Sequence, residues 1–553
     1  MTVQQQMIKN GRLNGHIETI ACKNPGTGEI FAEVQMATAH QVREARREMG
    51  VVAQVWVKKS VAERVRIMRK LQKLIIDQAD EITAVLNQDG GKSRQDALTE
   101  VFVTVDIMNQ YAKNAARWLR RRRVSSGLQI FKKAYVERRP RGVVAVISPW
   151  NYPFVLTIPP IITALLAGNT VLVKPSEVTA AAGVMMEKLF QQIPELAPYV
   201  RFLHGDGRVG AALVESVPDL IYVTGSVRTG KLITEAAAKT MTPVITELGS
   251  KDPLIVLEDA DVETAAKWAV WGAFYNTGQT CTSVERVYVV EAVYDRFLTA
   301  VQAEVAQLKV GYSPDIDNHF DMAPFTFERQ PEIVEAHLQD ALDRGAKIVA
   351  GGKREGMFME PTVLVDVDHG MRLMREETFG PIMPIMKAND EKHAIELANH
   401  SSFGLGASIW SQNIARAKRV GEQIEAGTIN INDTITHFAI PHLPFGGLKE
   451  SGNGRSHGEE DMLQFTQSVG YAVGKPPLPA DIATILRAPG NYRTSQAIMK
   501  LAFGVTLEQR LEPVAEFLEE REAKAKAAKV ATGVGAAVAA TAVLFGWVRR
   551  LQK

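Results

Sequence analysis

The sequence predicts an α/β protein built on two doubly wound parallel sheets, and three observations carry that expectation. Short runs rich in branched apolar residues alternate with helical patterns from residue 142 to residue 433. A long amino-terminal stretch, residues 40–123, repeats apolar positions at spacings of three and four, as in Val61, Val65, Met68, Leu71 and Ile75. Finally, 553 residues at 46% apolar and 23% charged can bury two or three domain-sized cores.

Taken in order, residues 40–123 read as three long helices, interrupted only by the turn Asp89-Gly90-Gly91. The first strand series follows at 142–149, 170–175, 200–205, 219–225 and 242–249. A second lies at 253–258, 284–290, 346–352, 362–367, 406–411 and 427–433, so two α/β domains are expected to meet near 249–253. Beyond Lys475 the strands stop, and a proline-containing stretch leads into a charged helix, read as a stalk over 476–529. The segment 530–548, VATGVGAAVAATAVLFGWV, has no charge for 19 residues; Lys524, Lys526 and Lys529 precede it, and Arg549, Arg550 and Lys553 follow. That length spans a bilayer core of roughly 30 Å, with Trp547 at an interfacial position. The expectation is a carboxyl-terminal membrane anchor; a helix packing within an oligomer is the alternative.

Composition excludes several classes. Two cysteines, Cys22 and Cys281, cannot staple a chain this long, so a reducing compartment is favoured. A net charge of +2 gives no reason to expect nucleic acid, and RWLRRRR at 117–123 reads as the solvated end of a helix. No secretory signal is expected at the amino terminus. Eleven histidines show no ligand spacing, so no metal is expected; His437 and His442 read as loop filling.

In such folds ligands bind outside the carboxyl ends of the strands, where Asn151, Lys174, Thr224 and Glu247 all lie. HGDGRVG puts Gly205, Gly207 and Gly210 at G-x-G-x-x-G spacing, a pattern that any glycine-rich strand-to-helix turn also satisfies. In TVLVKPSE, Lys174 and Glu177 leave a strand end together. An ammonium that donates and a carboxylate that accepts suit the two hydroxyls of an adenosine ribose, and the carboxylate disfavours a 2′-phosphate. A surface pair fits equally well. VTGSVRTGK opens a helix with Thr224, Gly225, Ser226 and Gly230, fit either for a pyrophosphate or for an ordinary N-cap. SPWNYPF offers the Asn151 amide, a donor suited to an oxyanion. TELGSKDP sets Glu247 beside apolar Leu248, where burial makes a carboxylate a better base.

Joined in this order with GQTC around Cys281, EETFGP and PFGGLKESGNGR, these segments resemble the aldehyde dehydrogenase superfamily from about residue 20 to about residue 475. The resemblance implies a Rossmann-like cofactor domain, a catalytic domain and a β-arm for oligomerisation. Residues 20–250 would form the cofactor domain, with part of the arm near 125–140, and 251–445 the catalytic domain; 446–475 would return to the cofactor domain and arm. It implies Cys281 as nucleophile, Glu247 as base and Asn151 as oxyanion donor. Cofactor contacts would come from Ser148, Trp150, Lys174, Ser176, Glu177, Gly207, Thr224, Gly225, Ser226, Gly230, Leu248, Glu377 and Phe379. One departure stands out: the family has two glycines after the Glu-Leu pair, and here the second is Ser250.

The implied reaction is oxidation of an aldehyde to a free acid with NAD, or possible NADP, through a thiohemiacetal and a thioester. The segment after Asn151 offers Tyr152, Phe154, Leu156 and Ile158 and no cation, so an apolar medium- or long-chain aldehyde is expected, with Tyr152, Leu156 and Tyr275 lining its pocket. Arg286, five residues past the cysteine, keeps a succinate semialdehyde enzyme as the alternative. A membrane-tethered binding protein without chemistry is the alternative of another class. The chain is expected as a homodimer or homotetramer, held on a lipid bilayer by its tail with the catalytic domains in the cytoplasm; a soluble cytoplasmic enzyme is the other possibility.

Overall fold

A computed structural model describes residues 18–127, 132–318, 320–474 and 491–527. The described residues divide into two compact units, one within 1–124 and 135–471, the other within 125–134 and 472–553.

The larger unit contains both α/β sheets. The first has five parallel strands in the spatial order Val200–Phe202, Thr170–Lys174, Val143–Ile147, Leu220–Thr224, Val244–Glu247. Its first strand is central, and the order reverses beside it, the crevice where doubly wound sheets bind ligands. Every residue of Val143–Ile147 and Thr170–Lys174 is buried, which is why these runs read as apolar without alternation. The second sheet has seven strands, in the order Lys347–Ala350, Thr362–Val365, Ile382–Ala388, Val284–Val290, Asp252–Val256, Gly406–Trp410, Thr428–Ile431. All its pairs are parallel except the first.

Three expectations change. Four helices, not three, fill the amino-terminal region: Ala39–Trp56, Val61–Asp77, Ala79–Gly90 and Arg94–Trp118. Ser60 starts the second with a capping box, its Oγ accepting from Glu63 N (3.2 Å) while Ser60 N donates to Glu63 Oε2 (2.7 Å). Gln78, at φ −105° and ψ 17°, separates the second from the third. Strand Ile382–Ala388 was missed because Pro384 argues against an interior strand. It is tolerated where the strand changes partners: Ile382 to Pro384 pair with Thr362–Val365, and pairing to Val284–Val290 begins at Ile385. Finally, the arginine-rich run is not all helix end, since Arg122–Val124 is a strand and Arg121 pairs with Glu137 at 2.9 Å.

Strand Lys132–Pro140 lies in order between Arg122–Val124 and Thr466–Gly474, near the place expected for the arm. In the smaller unit, helices Asn491–Phe503 and Leu507–Ala527 pack together, with Lys500 paired to Glu512 at 2.7 Å. Among the described residues no helix is long and apolar enough to cross a membrane; the anchor segment 530–548 lies outside them.

Candidate active site

Cys281 sits in the turn between helix Val262–Phe274 and strand Val284–Val290, and that turn is unusual backbone. Asn276 (φ 51°) and Thr277 (φ 61°) both adopt left-handed conformations, which cost non-glycine residues energy unless neighbours enforce them. Here they do. Thr277 Oγ1 donates to Ala323 O (2.7 Å), Asn276 Nδ2 to Gln279 O (3.2 Å), and Gln279 Nε2 to Asn276 O (3.0 Å), while Gln279 Oε1 accepts from Thr326 N (2.9 Å). At Gly278 (φ 70°) a Cβ would meet Gly380 O at 2.3 Å, so only glycine fits. Cys281, half-buried as a residue, is thus held on a loop fixed by these bonds.

Two cavities meet at Cys281. The first, of about 220 Å³, is lined by Tyr152, Leu156, Trp271, Tyr275, Cys281 and Phe438 among others. Tyr152, Leu156 and Tyr275, the expected pocket residues, therefore share one cavity with the sulfur. The Tyr152 hydroxyl is satisfied by Thr280 Oγ1 (2.7 Å), so the pocket is offered the ring. Its one charged wall residue among those described is Glu100. Arg286 is not part of the wall: buried, it donates to Lys251 O (2.8 Å), Ala398 O (3.0 Å) and Tyr288 OH (3.1 Å).

The second cavity, of about 30 Å³, joins Cys281 to Glu247, Leu248, Thr224, Ser456 and Asp461. It has room for about one water molecule. Glu247 ends strand Val244–Glu247, 5% exposed, and neither carboxyl oxygen has a hydrogen-bond partner. Burial pushes its pKa well above the usual carboxylate range; Asp461 adds to the rise and Arg455 opposes it. The Cys281 thiol is likewise pushed up, first by burial and then by Asp252, Glu377 and Glu247, against the Thr282 N–H. A thiol that holds its proton and a carboxyl with unclaimed oxygens thus face one small chamber.

Asn151 is buried, and one N–H of its side-chain amide is engaged by the Gln279 carbonyl (3.1 Å), tying it to the cysteine loop. A buried ion pair supports it from behind. Lys92 pairs with Glu100 and donates to Asn151 O (2.7 Å), while Glu100 Oε2 accepts from Phe154 N (3.1 Å) and Val155 N (3.3 Å). Sequence reasoning missed this pair, as it missed Gln279 and Asn276; only Lys92 carried a signal, lying beside the Gly90-Gly91 turn.

The expected cofactor residues from Ser148 to Leu248 stand at or follow the carboxyl ends of the first sheet's strands, or lie in the helices after them, and Glu377 and Phe379 lie in the turn before strand Ile382–Ala388 of the second. Lys174 Nζ meets Glu177 Oε2 at 2.6 Å, the ammonium buried and the carboxylate 41% exposed. Ser148 Oγ is buried and unpartnered, and Ser176 Oγ accepts from Val178 N (3.2 Å). Ser226 is the N-cap of helix Val227–Ala238, accepting from Thr229 N (3.3 Å). Open space surrounds Gly225 and Gly207, whereas Gly230 is packed against Leu248, whose Cδ1 would lie 2.6 Å from a Cβ there. Trp150 meets Phe379 edge to face at 5.4 Å. Glu377 Oε1 accepts from Ser250 N (2.8 Å), its carboxyl so close to Gly249 that a Cβ there would lie 2.3 Å away. Glu285, paired with Lys251, accepts from Thr378 N (2.8 Å) and Phe379 N (2.9 Å) and so fixes the EETFGP turn. The Ser250 hydroxyl turns to Asp252. An unclaimed hydroxyl, open glycine backbone at a helix start and an ammonium–carboxylate pair fit a dinucleotide.

The model of the aldehyde dehydrogenase family matches residues 13–469. A 4,4'-diapolycopene aldehyde oxidase from Methylomonas sp is 40% identical over 489 residues, covering 88% of this chain and 92% of that protein. A Mycobacterium ulcerans protein provisionally named succinate-semialdehyde dehydrogenase (NADP(+)) 2 is 34% identical, covering 84% and 93%. Among solved structures, an NADP-dependent glyceraldehyde-3-phosphate dehydrogenase from Bacillus halodurans C-125, complexed with NADP, superposes with a TM-score of 0.78 at 34% identity over 83% of this chain and 96% of that one. The chain belongs to the aldehyde dehydrogenase family, whose members are NAD(P)-dependent oxidoreductases acting on aldehydes.

Proposed function

We propose that this enzyme oxidises an apolar medium- or long-chain aldehyde to its carboxylic acid, with Cys281 as nucleophile, Glu247 as base and Asn151 as oxyanion donor. One observation carries the reading: Cys281, with Val155, Leu156 and Phe438, lines both an apolar cavity and a water-sized chamber that holds Glu247. The Cys281 thiol gives up its proton to solvent, and the sulfur adds to the carbonyl carbon. The Asn151 amide and the Cys281 backbone N–H receive the oxyanion; one such donor is worth roughly 3 to 4 kcal/mol of barrier. Lys174 and Glu177 would hold NAD at its adenosine ribose and the start of helix Val227–Ala238 at its pyrophosphate, and the nicotinamide would supply a hydride acceptor when bound. Glu247 then draws a proton from water in the chamber, and the water hydrolyses the thioester. A base poised there favours free acid as product. The Glu177 carboxylate favours NAD over NADP.

The apolar walls support the substrate class, as does the name of the Methylomonas relative. Arg286, spent on backbone carbonyls, weakens the succinate semialdehyde alternative. The uncharged segment 530–548, between basic flanks, supports a tail anchor that would hold the enzyme at the bilayer, where such aldehydes partition. The arm strands support assembly as a homodimer or homotetramer.

The test is NADH formation from a panel of aldehydes in detergent, succinate semialdehyde included. The reading expects kcat/KM to rise from short to long aliphatic chains and to vanish in Cys281→Ala. Preference for succinate semialdehyde, or full activity without the sulfur, would refute it.

A further inference from the structure

Behind Glu247 lies a second buried carboxyl that the reaction as derived does not use. Asp461, on helix Gly458–Gln464, is 4% exposed and lines the same 30 Å³ chamber as Glu247 and Cys281. Its Oδ2 accepts from the Tyr111 hydroxyl of helix Arg94–Trp118 and from Thr163 Oγ1 of helix Ile158–Ala167 (3.1 Å). Both donors stabilise the anion, yet neither carries a charge to neutralise it. Every other titratable group around the chamber is accounted for. Tyr222 on strand Leu220–Thr224 is hydrogen-bonded to Ser456 Oγ (2.7 Å), and His457 and His437 are buried with depressed pKa values, about 3 and about 4. Among the described residues Arg455 is the cation acting on Glu247, and its guanidinium donates to Gly447 O (2.9 Å) and Gly454 O (2.6 Å).

We propose that Asp461 is a positioning residue for the base: its charge, on the far side of the shared chamber, sets the pH at which Glu247 becomes able to activate water. The proposal rests on the reading of Glu247 given above. Burial pushes the Asp461 carboxyl itself up to about 7, so the two carboxyls compete for protons near neutrality. An ionised Asp461 keeps Glu247 protonated to higher pH and makes it the stronger base once it ionises.

The experiment is the pH profile of kcat and of kcat/KM for wild type, Asp461→Asn, Asp461→Glu and Glu247→Gln, with folding checked by circular dichroism and thermal melting. Asn at 461 keeps an acceptor for Tyr111 and Thr163 but loses the charge, so the acid limb should move to lower pH by about half to one unit, with KM for the aldehyde unchanged within about twofold. Glu at 461 should restore the limb towards the wild-type position, a rescue that a merely structural role would not give. Should Asp461→Asn fail to fold, Tyr111→Phe removes one donor to Asp461, lowers its ionised fraction and should move the limb the same way by a smaller step. A limb that stays in place, or moves to higher pH, while Glu247→Gln is inactive overturns the role of Asp461 and leaves the base standing. Full hydrolysis by Glu247→Gln overturns the base, and this inference with it.

Discussion

Cys281 and Glu247 share a difficulty that the structure turns into a mechanism. Burial pushes each towards its neutral form and so opposes the loss of the proton on which its reactivity depends. Each becomes reactive on losing its proton to solvent, the sulfur for addition to the carbonyl and the carboxylate for hydrolysis of the thioester. Glu247→Gln should therefore slow thioester hydrolysis by two or more orders of magnitude, because general-base catalysis is worth about that much. A rapid-mixing experiment should still show one equivalent of NADH per site before turnover stalls. Activity should also rise with pH along a limb above the usual carboxylate range, since the base must lose its proton and burial opposes that loss. At this scale the sequence was informative where residues act together. That Cys281, Glu247 and Asn151 gather in one region was legible from their joint order, whereas the place of Gln279, whose amide locks the cysteine loop, was not: its partners, Thr326 and Asn276, meet it only through the fold. Arg286 showed the opposite failure. Proximity in sequence suggested a pocket cation, and the structure buries it against the carbonyls of Lys251 and Ala398.

The segment from Asn151 to Leu156 is anchored by groups on another element. Lys92 and Glu100 flank the start of helix Arg94–Trp118 and grip the segment through Asn151 O, Phe154 N and Val155 N. Removing one partner strands the other as a buried charge, at a cost of about 3 to 5 kcal/mol. Lys92→Met and Glu100→Met should each lower unfolding free energy by that order in urea titrations, and the double substitution should lose less than the sum of the two singles. Additive losses would show that the pair is not coupled. Most strands were legible because burial on both faces leaves uninterrupted apolar runs, as in Val143–Ile147. Ile382–Ala388 was hidden by Pro384, and the division at Gln78 by its lack of any glycine or proline signal.

Across the molecule, buried carboxyls give stability a pH dependence. Asp89 is 1% exposed, with Oδ2 accepting from Ala182 N (2.8 Å) and Oδ1 unpartnered, and burial pushes it up to about 7. Its folded pKa lies above its unfolded value, so its contribution is fully present below about pH 4 and is lost as pH rises to 7. Each unit of separation is worth about 1.4 kcal/mol. Asp89→Asn should gain melting temperature relative to wild type between pH 4 and pH 7; a constant difference would mean Asp89 does not titrate in that window. The two-sheet plan was legible from the alternation of strands and helices, because each crossover must cover a face of the sheet. The tail is a separate matter of composition: removing residues 530–553 should move the protein from the membrane fraction to the supernatant, and a full-length protein already in the supernatant without detergent would refute the anchor.

The most direct test of the central claim is the mass of the enzyme during turnover. Glu247→Gln, mixed with NAD and a long-chain aldehyde and quenched in acid within the first turnover, should carry one acyl group, and digestion should place it on the peptide containing Cys281. NADH formation with no acyl group on that peptide, or with the group on another residue, would contradict the account.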